Sequence, residues 1–133
     1  MMAKYFFDTY ALVEIIKNNP AYVKYFEEII ITTKYNLIEL YYSLLMDFGE
    51  EKAKAGYLKF KDSSMDINDG VIFEAMQLKL KNKKLSYVDC IGYICATSKN
   101  LLFLTGDKEF EKMNNVEFVK KDFEDFDIPG EEP

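Results

Sequence analysis

LSYVDCIGYICATSKNLLFLTGD, residues 85–107, predicts a helix that leads directly into a buried strand. Ser86 is a favoured N-cap residue, and the apolar residues behind it predict a helix over residues 86–100. The apolar run LLFLT then predicts a strand over residues 101–105. An acidic residue marks each end of this unit: Asp89 in the first helical turn and Asp107 just beyond the strand.

The same alternation of strand and helix continues in both directions along the chain. The predicted strands span residues 5–7, 29–33, 63–67, 101–105 and 116–119. The predicted helices span residues 11–16, 21–28, 34–49, 50–61, 69–84 and 86–100. Strands that alternate with helices predict an α/β fold with a largely parallel sheet.

The composition predicts a single globular domain. The chain has 133 residues, of which 49% are hydrophobic, and we expect the domain to occupy residues 1–121. Residues 122–133 are rich in acid, proline and glycine, and we expect them to form a partly frayed tail. No apolar run approaches the ~20 residues of a membrane span, and the N-terminus lacks signal-peptide architecture. Cytoplasm is therefore the expected location.

Several kinds of chemistry are excluded because their residues are absent. The chain has no histidine, and all 17 of its basic residues are lysine. Serine–histidine triads, histidine zinc sites and arginine clamps are therefore impossible. Cys90 and Cys95 fit no metal or redox spacing and are expected to be buried free thiols. Any base or metal ligand must be a carboxylate, lysine, tyrosine or cysteine.

Four acidic residues lie within or just beyond apolar segments: Asp8, Glu39, Asp89 and Asp107. Carboxylates are seldom buried unless they are paired or hold a metal ion. Several close carboxylates raise each other's pKa unless a cation joins them. Oxygen ligands favour Mg²⁺ or Mn²⁺, and such sites activate water for attack at phosphorus. We therefore expect the four acids to form one site for a hard divalent cation.

Each acid also has an ordinary structural interpretation. Asp8 is a common N-cap type and Asp107 a common turn residue. Glu39 could face solvent on an amphipathic helix. Asp89 could pair with Ser86 in a capping box, although the box prefers Glu or Gln because the aspartate side chain is shorter.

The net charge of −6 makes the chain a poor default binder of phosphate backbones. Two groups of lysines concentrate positive charge locally within this acidic chain. Each could be a solvated helix face or a rim that contacts phosphates. One group is Lys79, Lys81, Lys83 and Lys84, and the other is Lys52, Lys54, Lys59 and Lys61.

Nearly the whole chain resembles the PIN-domain ribonucleases, particularly the small prokaryotic kind typified by VapC toxins. FFDTYALVEII carries the first acid, TTKYNLIELYYSLL the helical glutamate, and LSYVDCIGYICATSKNLLFLTGDKEFEKM the last two acids. The residues that match the family's metal-binding acids are Asp8, Glu39, Asp89 and Asp107. Thr9 and Thr105 match hydroxyl residues that accompany the acids.

The resemblance implies a Mg²⁺- or Mn²⁺-dependent endoribonuclease in which water attacks a phosphodiester of RNA. Asp8, Asp89 and Asp107 would anchor the metal, and Glu39 would bind metal or orient water. It also implies a three-layer α/β/α fold with about five strands in the order 3-2-1-4-5. A homodimer and an antitoxin protein partner are further expectations. The chain departs from the family in lacking arginine and in carrying the bulky Tyr10 beside the first acid.

Two other functions are compatible with the residues. A non-catalytic PIN-type module would bind RNA or protein, and a solitary nuclease would process RNA without an antitoxin. A phosphoacceptor receiver domain would need a pair of acids after the first strand, where only Asp8 is present.

Overall fold

The computed structural model describes residues 2–120; the predicted tail over 122–133 lies outside these residues. The strands are β1 (Tyr5–Phe7), β2 (Thr32–Thr33), β3 (Ser64–Met65), β4 (Leu102–Thr105) and β5 (Val116–Phe118). The α-helices are α1 (Thr9–Ile16), α2 (Lys34–Phe48), α3 (Glu50–Phe60), α4 (Asp69–Lys81) and α5 (Tyr87–Ser98). Short 3₁₀ helices span Pro20–Tyr25, Lys61–Ser63 and Lys108–Phe110. Within the described range, every helix is too short or too polar to cross a membrane.

All strand pairings are parallel, which confirms the predicted α/β class. β4 pairs with β1 on one side and with β5 on the other, and β2 pairs with β3. The two pieces are joined by an isolated parallel bridge between Phe6 and Ile31. There the N–H of Phe7 donates to the carbonyl of Ile31 at 2.9 Å. The strands therefore follow the order β3-β2-β1-β4-β5.

Helices cover both faces of this sheet and produce three layers. Phe6 and Phe7 are fully buried and point to opposite faces, as consecutive strand residues do. Phe7 joins the core cluster formed by α1, α2 and α3, whereas Phe6 joins the cluster formed by α4 and α5. Cys90 and Cys95 lie in the second cluster as buried free thiols, as predicted.

Four local predictions were wrong in length or kind. Residues 21–28 do not form an α-helix, because the chain folds into a 3₁₀ helix over Pro20–Tyr25 that Asn19 caps. The predicted strands over 29–33 and 63–67 are strands only at Thr32–Thr33 and Ser64–Met65, because only these two residues of each segment pair with the other. The helix predicted over 69–84 ends at Lys81.

Candidate active site

Asp8 lies at the carboxyl end of β1 and is only 4% exposed. It is the N-cap of α1, and its Oδ1 accepts a hydrogen bond from the N–H of Ala11 at 2.9 Å. The hydroxyl of Thr105 also hydrogen-bonds to the Asp8 side chain. Asp8 is therefore both a helix cap, as the ordinary interpretation proposed, and a buried acid.

Asp107 lies close to Asp8 because their strands are parallel neighbours. The N–H of Asp8 donates to the carbonyl of Leu104 at 3.2 Å, which brings the ends of β1 and β4 together. Oγ1 of Thr105 accepts from the N–H of Asp107 at 3.0 Å. The fully buried Thr105 hydroxyl therefore links the two acids. Oδ1 of Asp107 caps the 3₁₀ helix by accepting from the N–H of Glu109 at 3.0 Å.

Glu39 is half-buried and faces the same region from α2. Its Oε1 accepts from the Thr9 hydroxyl at 2.7 Å. Nδ2 of Asn36 donates to that hydroxyl at 3.1 Å, and Oδ1 of Asn36 accepts from the Thr33 hydroxyl at 2.6 Å. This chain of hydrogen bonds fixes the carboxylate, so the interpretation of Glu39 as a freely solvated helix residue was wrong.

Asp89 enters the site from the first turn of α5. Its Oδ2 accepts from the N–H of Ser86 at 2.9 Å, and its own N–H donates to Oγ of Ser86 at 3.0 Å. The capping box is complete. The expectation that aspartate is too short for this box was therefore wrong, and Asp89 has a structural role alongside any catalytic one.

An open pocket of about 330 Å³ brings the four predicted acids together. Sequence reasoning missed Glu14, which also lines it, is 5% exposed and accepts from Nδ2 of Asn19 at 2.8 Å. The sequence signal that could have identified Glu14 was helical spacing. One stripe at α1 carries Tyr10, Val13, Glu14 and Lys17. The lining residues are Asp8, Thr9, Tyr10, Val13, Glu14, Lys17, Glu39, Ser43, Asp89 and Asp107.

The pocket favours the protonated forms of Asp8, Glu39 and Asp89. Burial raises the pKa of Asp8 to about 8, against the opposing effect of the bonds from Thr105 and Ala11. The charges of Asp89 and Asp107 raise this pKa further. The pKa values of Glu39 and Asp89 are also raised, first by burial and then by a neighbouring acid. A bound cation would relieve both effects, because it pairs with the ionised form.

The donor set of the pocket fits a hard divalent cation that remains partly hydrated. Among residues 2–120, no set of three acidic or thiol side chains is arranged to hold a metal ion on its own. Mg²⁺, however, usually retains several waters and binds only one or two carboxylates. The buried and half-buried carboxylates of the pocket offer the oxygen ligands that such an ion prefers. The assignment of particular residues as ligands remains a prediction.

A family model for the PIN domain matches residues 5–116, and the chain belongs to the PIN domain family, whose members are typically nucleases. Its fold is similar to that of VapC20 from Mycobacterium tuberculosis, a Sarcin-Ricin loop cleaving toxin. That match has a TM-score of 0.73 and 14% identity, and covers 87% of this chain and 99% of the other.

Two further similar structures come from toxin–antitoxin systems. A chain of a Klebsiella pneumoniae toxin–antitoxin complex matches with a TM-score of 0.68 and 17% identity, covering 86% of this chain and 96% of the other. A chain of VapBC2 from Rickettsia felis, bound to a promoter DNA fragment, matches with a TM-score of 0.66 and 18% identity over 87% and 98%. No curated protein sequence matches the chain significantly. At these identities the structural matches establish the fold alone.

Proposed function

We propose that this protein is a Mg²⁺- or Mn²⁺-dependent endoribonuclease. One observation carries the proposal: Asp8 is 4% exposed, yet it lines an open pocket with four other acids. The pocket lies at the carboxyl ends of two neighbouring parallel strands, which is where α/β folds place their sites. A buried acid cluster is costly to maintain without a cation.

The side chains have separate roles in this proposal. One or two of Asp8, Asp89 and Asp107 would bind the metal directly, and the remainder would contact it through its waters. When bound, the metal would activate water and stabilise charge at phosphorus. Glu39 would contribute a further ligand or accept a hydrogen bond from the attacking water. Thr9 and Thr105 touch the acids and fix their orientation.

The proposal extends to the biological role of a toxin in a type II toxin–antitoxin pair. Its support is the shared fold with chains from the Klebsiella and Rickettsia toxin–antitoxin complexes. A basic side chain of an antitoxin would pair with the acids of the pocket and block it. A homodimer and a cytoplasmic location belong to the same proposal. Co-expression with the protein encoded by the neighbouring gene, followed by co-purification, tests the partner.

Replacement of Asp107 by Asn should abolish most metal-dependent cleavage. The change removes one negative charge from the pocket while leaving an acceptor for the N–H of Glu109. We expect the rate to fall more than about 100-fold, since the loss of residues that merely support a metal ligand already costs about 10–100-fold. The measurement is cleavage of total RNA and of a sarcin–ricin loop oligonucleotide in EDTA, Mg²⁺ and Mn²⁺.

Glu109→Gln is the matched control, because Glu109 is exposed and does not line the pocket. Its cleavage rate should equal that of the wild type. Equal cleavage by wild type and Asp107→Asn would show that the activity comes from another site or a contaminant. Metal binding and RNA binding without any cleavage would instead support the non-catalytic PIN-type module.

Thr9→Val should weaken the site without unfolding it. Valine has nearly the same shape but cannot link Asn36 to Glu39, so the carboxylate loses its positioning bond. We expect cleavage to fall about 10-fold or more and the free energy of unfolding to fall by only about 1 kcal/mol. Thr9→Ser keeps the hydroxyl and should restore most of the activity. Cleavage by Thr9→Val at the wild-type rate would show that Thr9 does not contribute to catalysis.

A further inference from the structure

A second cavity, of about 720 Å³, lies on the other side of α1 from the acidic pocket. Its walls are the end of α1, residues 26–30 and one face of α3. The sequence singled out four lysines around α3 as a solvated face or a phosphate rim, and the cavity separates them into two pairs. Lys52 and Lys59 line it, whereas Lys54 and Lys61 do not.

The α3 wall has the form of a shallow anion-binding surface. This wall consists of residues at helical spacing, Lys52, Ala55, Gly56 and Lys59. The ammonium groups of Lys52 and Lys59 lie over the rings of Phe48 and Phe60. The two lysines are about 10 Å apart along the helix axis at 1.5 Å per residue. Lys54, by contrast, is paired with Glu50 at 2.7 Å. The cavity therefore presents two cations that could each contact a phosphate.

The opposite wall carries an unsatisfied hydrogen-bond acceptor. Within residues 2–120, Oε1 of Glu28 is the one buried side-chain oxygen or nitrogen without a hydrogen-bond partner. Such an atom is costly unless a ligand or water donates to it. Phe26 lines the same cavity and is 37% exposed. An aromatic ring and an acceptor in one cavity suit a nucleic-acid base, which stacks and donates N–H groups from its edge.

The second cavity and the acidic pocket are lined by neighbouring residues at the end of α1. Lys17 lines the acidic pocket, and the next residue, Asn18, lines the second cavity. Asn18 has a φ of 58°, which turns the chain sharply at this point. A strand leaving the acidic pocket past Lys17 would pass the end of α1 to reach the second cavity.

We propose that the second cavity binds a single-stranded segment of the RNA substrate, with phosphates on Lys52 and Lys59 and a base that donates to Glu28. The inference rests on the proposed ribonuclease function and identifies how a chain of net charge −6 holds RNA. Lys52 and Lys59 do not line the acidic pocket, so they would hold phosphates several nucleotides from the cleaved bond, away from the four predicted acids.

The test is RNA binding measured without metal, so that cleavage does not enter the result. A fluorescein-labelled single-stranded RNA of mixed sequence is titrated with protein in EDTA, and fluorescence anisotropy is followed at several salt concentrations. Lys52→Ala/Lys59→Ala should weaken binding at least about 10-fold. The slope of log affinity against log salt should become shallower by about 1.4, at about 0.7 per phosphate contact on a single strand.

Lys54→Ala/Lys61→Ala is the matched control, because it changes the net charge equally without touching the cavity. It should bind RNA within about twofold of the wild type. Equal losses in the two double variants would overturn the proposal, since they would reflect net charge alone. Unchanged binding in Lys52→Ala/Lys59→Ala would overturn it too. Circular dichroism of each variant establishes that it is folded.

Glu28→Leu tests the base contact, because a lost charge and a lost base contact change RNA affinity in opposite directions. Removal of a negative charge by itself should strengthen RNA binding. Loss of an acceptor that contacts a base should weaken it, and we expect a severalfold loss. Tighter binding by the Leu variant would overturn the assignment of Glu28. Failure of the ribonuclease proposal would be visible separately, as absence of metal-dependent cleavage in the wild type.

Discussion

Asp8→Asn should stabilise the metal-free protein while it abolishes cleavage. The folded state holds the Asp8 carboxyl in a buried position where its pKa rises from 3.8 to about 8. A pKa difference of one corresponds to about 1.4 kcal/mol, so ionised Asp8 costs the fold several kcal/mol. Asparagine keeps the N-cap acceptor without the charge. The same change removes a proposed metal ligand, and cleavage should fall more than about 100-fold.

The stabilisation should depend on pH in a defined direction. Below pH 4 the carboxyl is protonated in both the folded and unfolded chains, and its contribution to stability is fully present. Between pH 4 and pH 8 the unfolded chain releases this proton while the folded chain retains it, so the free energy of unfolding decreases as pH rises. Urea unfolding in EDTA at several pH values should show this decrease in the wild type and a flatter profile in Asp8→Asn.

Mg²⁺ should reverse this trend in the wild type. A cation that binds the ionised carboxylates stabilises the folded state by mass action, and most strongly at the higher pH. Glu74→Gln, an exposed replacement on α4, is the control and should follow the wild type. Identical pH profiles for wild type and Asp8→Asn in EDTA would contradict the raised pKa of Asp8. Identical stabilisation of both by Mg²⁺ would contradict its role as a ligand.

Gly106→Ala should disrupt both the fold and the site. Gly106 lies between Thr105 and Asp107, and an added Cβ would overlap with the ring of Tyr10 and with the carbonyl of Val119. Val119 is not free to move, since its N–H donates to Thr105 at 2.8 Å and its carbonyl accepts from the hydroxyl of Tyr22 at 2.6 Å. We expect a loss of about 1–3 kcal/mol, the usual cost of overpacking, and a melting temperature lower by several degrees.

Gly70→Ala is the matched control for that variant. Gly70 lies in the first turn of α4, where an added Cβ would meet only the side chain of Asn68 at 3.2 Å. Alanine favours a helix over glycine by up to about 1 kcal/mol. Gly70→Ala should therefore melt at or above the wild-type temperature. Equal stability of Gly106→Ala and the wild type would show that Tyr10 and the end of β5 can move apart freely.

The elements and the four acids could be predicted because their signals are local. Asp8 and Asp107 each follow an apolar strand, and the ends of neighbouring parallel strands necessarily meet. Glu39 and Asp89 stood out as acids in apolar helical segments. Their common pocket depends only on the strand order and on where each helix begins.

The remaining features depend on packing that no local pattern contains. Helical spacing places Glu14 and Lys17 on one stripe at the end of α1, but only the approach of α2 makes this stripe a pocket wall. The second cavity depends on α3 packing tightly at Gly56, where a Cβ would lie 2.8 Å from the side chain of Ile16. The 3₁₀ helix over Pro20–Tyr25 was missed because its apolar residues match an α-helix equally well.

Three of the four acids have structural tasks that would persist if catalysis were lost. Asp8 caps α1, Asp89 completes the capping box of α5, and Asp107 caps a 3₁₀ helix. A lineage that abandoned RNA cleavage would therefore still be penalised for replacing these aspartates with residues that cannot cap. Their survival in a descendant says little about whether it remains an enzyme. Glu39 caps no helix and lies in the middle of α2. Its replacement would therefore be the first sequence change to indicate that a PIN domain has lost catalysis.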